Sequence, residues 1–330
     1  MKQLHLLIPD LIPPQEIAAE VCAGLHLPAL EKLLARANAG SAPVETLEDS
    51  LCAAFGVRSA APVRAAYDGL EVGDTYWLCA DPVSLHLQRA QVLVQPEAMP
   101  KKEDAEAMCD ALNAHFADTG LRFVAPHPRR WYVQVDTEPQ MTTSPLRQAL
   151  GRDARHFQPQ GADALRWQRI VTEMQMLLYA HPLNRAREAR GETVLGSLWL
   201  WGGGRAMPLQ KTYAAVGGDS ELAAACAEAA GLPRIGSLQA MLEAQYESGL
   251  WVCVAAADAL QRADLHAWRE AVLRIEHEIA RPLLAALQAG RLQRLTLEVL
   301  RENGSRRYSA TRGDVWKLWR PQRSLARYAV

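Results

Sequence analysis

Strand-like apolar runs alternate with helical ones along most of this chain, and that alternation most restricts what it can fold into. QLHLLIPD (3–10) reads as a first buried strand edged by the turn at Pro13 and Pro14, and LPALEKLLARAN (27–38) follows with apolar residues at helical spacing. TYWLCADPVSLHLQRAQVLV (75–94) holds two strand-like halves around Asp81 and Pro82. Next come an amphipathic helix, EDAEAMCDALNAHFADTG (103–120), and a hairpin made of RFVAP (122–126) and RWYVQVD (130–136). RWQRIVTEMQMLLYAHPLNRAREARG (166–191) predicts a long helix up to His181, interrupted by Pro182, because proline lacks the N–H that a helix interior needs. SLWLW (197–201) and LWVCVAAAD (250–258) read as strands, and 265–287 as a helix with Leu265, Trp268, Val272, Ile275 and Ile279 on one face. Strands joined by helices make a mostly parallel sheet with helices on both faces. The expected fold class is therefore α/β, and 330 residues allow one large domain or a core with an insertion.

In such sheets chemistry gathers at the carboxyl ends of strands, and Asp10, Gly202 to Gly204 and Asp258 all fall at expected strand ends. The glycine triplet is the most informative stretch. It follows alternating leucines and tryptophans directly, and without side chains its backbone can turn sharply or let another group approach its N–H donors. One reading is an anion nest formed by Gly202, Gly203 and Gly204 with Arg205 adding charge; the other is a tight strand-to-loop turn. HPLNRAREARGE (181–192) places Asn184, Arg187 and Arg190 within two helical turns, a second candidate anion site or a solvated helix end. Asp81, standing before a proline, reads as a turn residue with a lesser case for ligand contact. Asp258, Asp264 and His266 are close in sequence, with Asp264 expected to cap a helix. The chain carries neither GxSxG nor HExxH, and no P-loop lysine follows the glycines.

A formal net charge of -1 offers no electrostatic case for nucleic acid or an anionic membrane as partner. The six cysteines are scattered singly with no CxxC pair, which argues against metal-finger and thioredoxin-like chemistry and for reduced, buried thiols. The N-terminal apolar run is broken by Pro9 and Asp10, too short for an export signal or a bilayer span, so the expected location is the cytoplasm.

The blocks TLEDSLCAAFGV, LCADPVSLHLQRAQVLV, EMQMLLYAHPLNRAREARGE and SLWLWGGGRAMP, in that order, resemble the archaeal-type cofactor-independent phosphoglycerate mutases of the alkaline phosphatase superfamily. They are more similar still to a bacterial offshoot that includes the RpfE-type regulatory proteins. The resemblance covers nearly the whole chain. It implies an alkaline-phosphatase-like core built from residues 1–80 and 185–330, with an inserted α+β cap over 81–184. Catalytic relatives hold two divalent metals with Asp and His side chains around a serine nucleophile, so that both oxygens of phosphoryl transfer are stabilised. Here IPDL keeps Asp10 without the glycine that usually follows, and Ser59 is the only hydroxyl near the nucleophile's register, where Ala60 and Ala61 stand. ADALQRADLH keeps Asp258 but has Arg262 in place of the metal-binding histidine, with His266 four residues further on, and the downstream DH pair and final histidine have no counterpart.

The resemblance thus implies the fold while arguing against the reaction. The expected protein is a catalytically degenerate, regulatory member that binds a phosphorylated small molecule or a protein partner, without metal or cofactor. Asn184, Arg187, Arg190, Gly202, Gly203, Gly204 and Arg205 are its candidate ligand residues. The alternative is a mutase or phosphatase using Mn or Zn and a rearranged site of Asp10, Ser59, Asp258 and His266.

Overall fold

The computed structural model describes residues 1–43, 45–96, 100–244, 246–301 and 304–329. In chain order its strands are β1 (Gln3–Leu7), β2 (Asn38–Ser41), β3 (Tyr76–Gln88), β4 (Gln91–Pro96), β5 (Leu121–His127), β6 (Arg130–Val135), β7 (Ser197–Gly204), β8 (Ala215–Gly218), β9 (Arg234–Ile235), β10 (Ser248–Val252), β11 (Arg294–Val299) and β12 (Arg306–Thr311). They form two sheets in two compact units, one made of Met1–Phe55 with Leu209–Val330 and the other of Gly56–Pro208. The expected boundaries at 80/81 and 184/185 both fall inside the second unit. The reason is β7, which pairs antiparallel with β3 from Ser197 against Val83 to Gly204 against Trp77 and so draws both ends of the insertion into one sheet.

The first unit has a seven-stranded sheet in the order β2-β12-β11-β1-β10-β8-β9. Pairings among β11, β1, β10, β8 and β9 are parallel, and β12 and β2 close one edge antiparallel. Parallel neighbours require crossovers, which the intervening helices supply. β1 sends Leu4 and Leu6 into a core shared with Trp268, Val272, Ile275 and Ile279, the helix face expected from spacing. Leu265, at that helix's first turn, stays exposed. The helical stretch continues as an α-helix (Leu265–Arg274), a π turn (Ile275–Ala280) and an α-helix (Arg281–Gln288). The widened turn sits directly before Pro282, whose missing N–H and bulky ring break the regular ladder. LWVCVAAAD divides: β10 ends at Val252, and the alanine-rich remainder, a good helix former, begins the helix Ala255–Gln261.

The second unit is an antiparallel sheet, β4-β3-β6-β5 with β7 on the other side of β3. β3 runs unbroken through Asp81 and Pro82, where two halves or a turn were expected. Pro82 falls between the β6 register (Tyr76–Cys79) and the β4 register (Val83–Gln88), a gap in which its missing N–H interrupts no ladder with those strands. The period-two alternation of SLWLW then sorts its side chains. Leu198 and Leu200 join Tyr76, Leu78 and Ala80 in the core with Met108, Leu112, Trp167 and Met174, which come from the helices Lys102–His115 and Ala164–Ala180. Trp199 and Trp201 face the other way; Trp199 donates to the Ser144 carbonyl (2.9 Å) and Trp201 to Asp81 (2.8 Å). As expected, the long helix stops before Pro182, and a second helix follows (Pro182–Ala189).

Candidate functional site

Asp10, Asp219 and Asp258 each follow the carboxyl end of a parallel strand of the first unit, β1, β8 and β10 in turn. Just beyond β1, Asp10 adopts a left-handed conformation (φ 53), which aspartate tolerates better than most residues. Its N–H donates to the Leu300 carbonyl (3.0 Å), and its own carbonyl accepts from the Trp268 indole (3.1 Å). Asp219 follows β8 and accepts the Val254 N–H at 2.6 Å, anchoring the start of the helix that carries Asp258. Burial raises its carboxyl above the ordinary range, and the nearby Asp258 charge raises it further, against backbone hydrogen bonds that pull it down. Asp258 itself lies in the first turn of a helix, so the expected strand-end position is corrected. Asp219 was missed because AVGG, four residues long, has too little periodicity to announce a strand; the signal available was an apolar run ending in GGD before Ser220, which caps the next helix through the Ala223 N–H (3.3 Å).

Histidine does not complete this edge. His266 sits on the helix Leu265–Arg274 with its side chain 84% exposed and paired to Glu270 one turn along (3.4 Å). Arg262 closes the preceding helix, and Asp264 caps the next through the Ala267 N–H (2.9 Å), as expected. Among the described residues no three His, Cys, Asp or Glu side chains stand together as a metal site requires. A two-metal clamp needs a richer donor set, so the residues present do not fit the metal pair that the resemblance brings to mind. Burial pushes the Cys52, Cys79 and Cys226 thiols up to about 12, far from a thiolate at neutral pH.

In the second unit, Ser59 is buried, 6% exposed, and packs against β7. A Cβ on Gly204 would overlap the Ser59 hydroxyl, and one on Gly203 would overlap the Tyr76 hydroxyl and Leu78. Only Gly202 of the triplet takes a positive φ (65). The glycines are therefore the end of β7, stripped of side chains so that Ser59 and Tyr76 can close over the strand. Where the sequence reads as a turn or a nest, the structure has the end of a strand. Arg205 donates to the Asp74 carbonyl and pairs with Glu138 (3.4 Å).

The basic helix end is built inward. Asn184 donates to the carbonyls of Leu178 (2.6 Å) and Leu195 (2.9 Å) and accepts the Leu195 N–H (3.0 Å). Arg187, 3% exposed, donates to the Thr193 carbonyl (2.8 Å) and faces Glu192 at 3.7 Å. Both side chains tie the helix Pro182–Ala189 to residues 193–195, the segment that leads into β7, so the expected ligand residues also carry a structural role. Arg190 is exposed and paired with Glu192 (2.6 Å). Arg187→Ala is accordingly expected to destabilise the protein by about 2 kcal/mol, through the unmet Thr193 carbonyl and lost packing, as read by urea unfolding. Unchanged stability would return Arg187 to the ligand residues.

The densest charge chemistry lies where only a turn was expected. Asp81 accepts from Arg64 (2.8 Å) and from Trp201 on the same oxygen, and the Arg64 guanidinium stands over the Trp201 and Tyr132 rings (5.4 and 5.7 Å). Next to it, Asp68 accepts from Arg130 (2.6 Å) and the Tyr132 hydroxyl (2.6 Å). Burial works to raise the Asp68 carboxyl, but the Arg130 and Tyr132 hydrogen bonds outweigh it and hold it below the ordinary range. Apart from the second Asp81 oxygen, which is buried without a hydrogen-bond partner, these groups meet one another, and the network reads as a buried scaffold for the β3–β7 pair.

The architecture defines the class: an α/β protein with a mostly parallel sheet and a separate antiparallel unit. No protein-family model and no curated protein matches the chain. Among solved structures it is similar to the PH0037 protein from Pyrococcus horikoshii, with a TM-score of 0.58 and 15% identity, covering 94% of this chain and 87% of that one. It is also matched to the cofactor-independent phosphoglycerate mutase from Thermoplasma acidophilum, with a TM-score of 0.49 and 13% identity over 99% of this chain and 94% of that one. The first likeness establishes a shared fold; the second is too distant to add to it.

Proposed function

We propose that this chain is a phosphoglycerate mutase-like protein that has lost phosphoryl transfer and acts in the cytoplasm as a regulatory binding protein. The observation that carries this reading is the position of Ser59. A phosphoryl-transfer nucleophile must reach phosphorus in line with the leaving oxygen. Ser59 is instead closed against Gly204, and a hydroxyl packed on a strand cannot make that approach. Two further supports are the outward position of His266 and a donor set too poor for two metals. The ligand class remains the one the resemblance implies, a phosphorylated small molecule, with a protein partner as the other possibility.

The test uses chelator-treated protein supplied with Mn²⁺ or Zn²⁺ and 3-phosphoglycerate. No 2-phosphoglycerate is expected to form, while 3-phosphoglycerate alone raises the unfolding temperature saturably by mass action. Metal-dependent interconversion that Ser59→Ala abolishes would overturn the proposal in favour of the rearranged enzyme. Absence of both turnover and thermal shift would remove the phosphorylated ligand and leave the protein partner.

A further inference from the structure

Seven of the nine tryptophans are buried: Trp77, Trp131, Trp167, Trp199, Trp201, Trp251 and Trp268. The remaining two stand three positions apart near the C-terminal end of the first unit. Trp316 is 57% exposed and Trp319 76%, with Leu318 between them at 72%. Large apolar side chains concentrated in this way on a soluble surface mark an interaction site.

The loop that presents them is held in place from beneath. Val315 is buried, and the Asp314 carboxylate accepts from the Thr311 N–H (2.8 Å) and hydroxyl (2.7 Å) and from Lys317 (2.5 Å). Arg320 donates to the Ala37 carbonyl (2.7 Å), and Arg36 donates back to the Val315 carbonyl. The indoles are thus displayed by an ordered turn, which lowers the entropic cost of docking.

The charge of this segment is mostly positive, with Glu31 reaching it at the Leu325 N–H. Between residues 312 and 327 the sequence carries Arg312, Lys317, Arg320, Arg323 and Arg327 against the single acid Asp314, and Lys317 already pairs with that acid. Arg312, Arg323 and Arg327 are exposed. The chain's net charge of -1 averages this segment away, which is why composition alone gives no case for an anionic surface.

We propose that Trp316, Leu318 and Trp319, flanked by these arginines, form a peripheral docking surface for an anionic phospholipid bilayer. Indole rings settle at the headgroup level, an aliphatic side chain reaches the acyl boundary, and arginines pair with lipid phosphates. Nucleic acid would use the indoles and arginines but leave Leu318 in water, which favours lipid. No helix among the described residues is long and apolar enough to cross a membrane, so the contact is a surface one.

The experiment is flotation of the full chain with vesicles of mixed phosphatidylglycerol and phosphatidylcholine, against phosphatidylcholine alone. Binding only to the anionic vesicles is expected, with a blue shift of tryptophan emission and weakening by salt. W316A/W319A and R312E/R323E alter exposed side chains, so their unfolding temperatures are expected to match the parent. Each double variant should bind the anionic vesicles about tenfold more weakly or worse. No flotation by the parent, equal flotation on phosphatidylcholine alone, or undiminished binding by W316A/W319A would each overturn the proposal. Retention on poly(dT) without flotation would overturn it in favour of nucleic acid, and a concentration-dependent dimer dissolved by W316A/W319A without flotation would do so in favour of self-association.

Discussion

Asp81→Ala is expected to cost the Gly56–Pro208 unit about 4 kcal/mol, because it strands a buried cation. Asp81 is 3% exposed, and one of its oxygens serves both Arg64 and the Trp201 indole at 2.8 Å. Burial alone pulls the Arg64 guanidinium towards neutrality, but the Asp81 carboxylate outweighs it and holds the guanidinium charged, with its pKa raised. The aromatic faces of Trp201 and Tyr132 favour the cation without neutralising it. Asp68 does not replace it: its charge already acts on Arg64 in the intact network, and its oxygens serve Arg130 and Tyr132. The alanine variant therefore loses the pair and an indole hydrogen bond while keeping an uncompensated charge. Urea unfolding followed by tryptophan emission reads the effect. Arg64→Met combined with Asp81→Leu is expected to recover most of the loss, because removing both charges removes the unmet partner as well. A loss for Asp81→Ala below about 1 kcal/mol would show that the pair contributes no more than an exposed ion pair does.

Glu276→Ala should be nearly as damaging to the other unit, at about 3 kcal/mol, for a different reason. The helix Pro28–Arg36 begins after Leu27, which has no side-chain acceptor for the first N–H groups. Glu276, fully buried in the π turn, supplies it from the far end of the chain, accepting the N–H groups of Ala29 (3.1 Å) and Leu30 (2.8 Å). A carboxylate at a helix N-terminus also opposes the positive end of the helix dipole. Arg281 completes the set at 3.0 Å, but its side chain is 48% exposed and can turn to water once the carboxylate is gone. Glu276→Gln keeps an acceptor and loses the charge, so about half the penalty is expected. Hydrogen exchange at the Ala29 and Leu30 amides localises the effect; protection unchanged in the alanine variant would show that the cap is dispensable.

What the sequence determined by itself is what short-range geometry controls. The alternation of SLWLW is a period-two signal, and it sorted leucines from tryptophans as a strand must. The spacing of Trp268, Val272, Ile275 and Ile279 marked a buried helix face, and Pro182 ended a helix because the missing N–H is a property of that residue alone. The strand–helix alternation sufficed for the α/β class. The capping role of Asp264 was equally legible, since donor and acceptor are three residues apart.

The tertiary structure alone decided which partner each chemically capable residue meets. Asp81 reads as a turn before a proline until β7, more than a hundred positions later, pairs with its strand and brings Trp201 to its carboxylate. The same pairing moved both edges of the inserted unit outward. It also set Gly203 and Gly204, two of the candidate nest, close against Tyr76 and Ser59. Asn184 and Arg187 have the chemistry of anion ligands, but the carbonyls of Leu195 and Thr193 use it first. Glu276 caps a helix 246 residues away, and local periodicity carries no record of such a contact. Backbone preference and hydrophobic period are set within a few neighbours, whereas burial and hydrogen-bond partners are set by chain segments that meet only when the sheet closes.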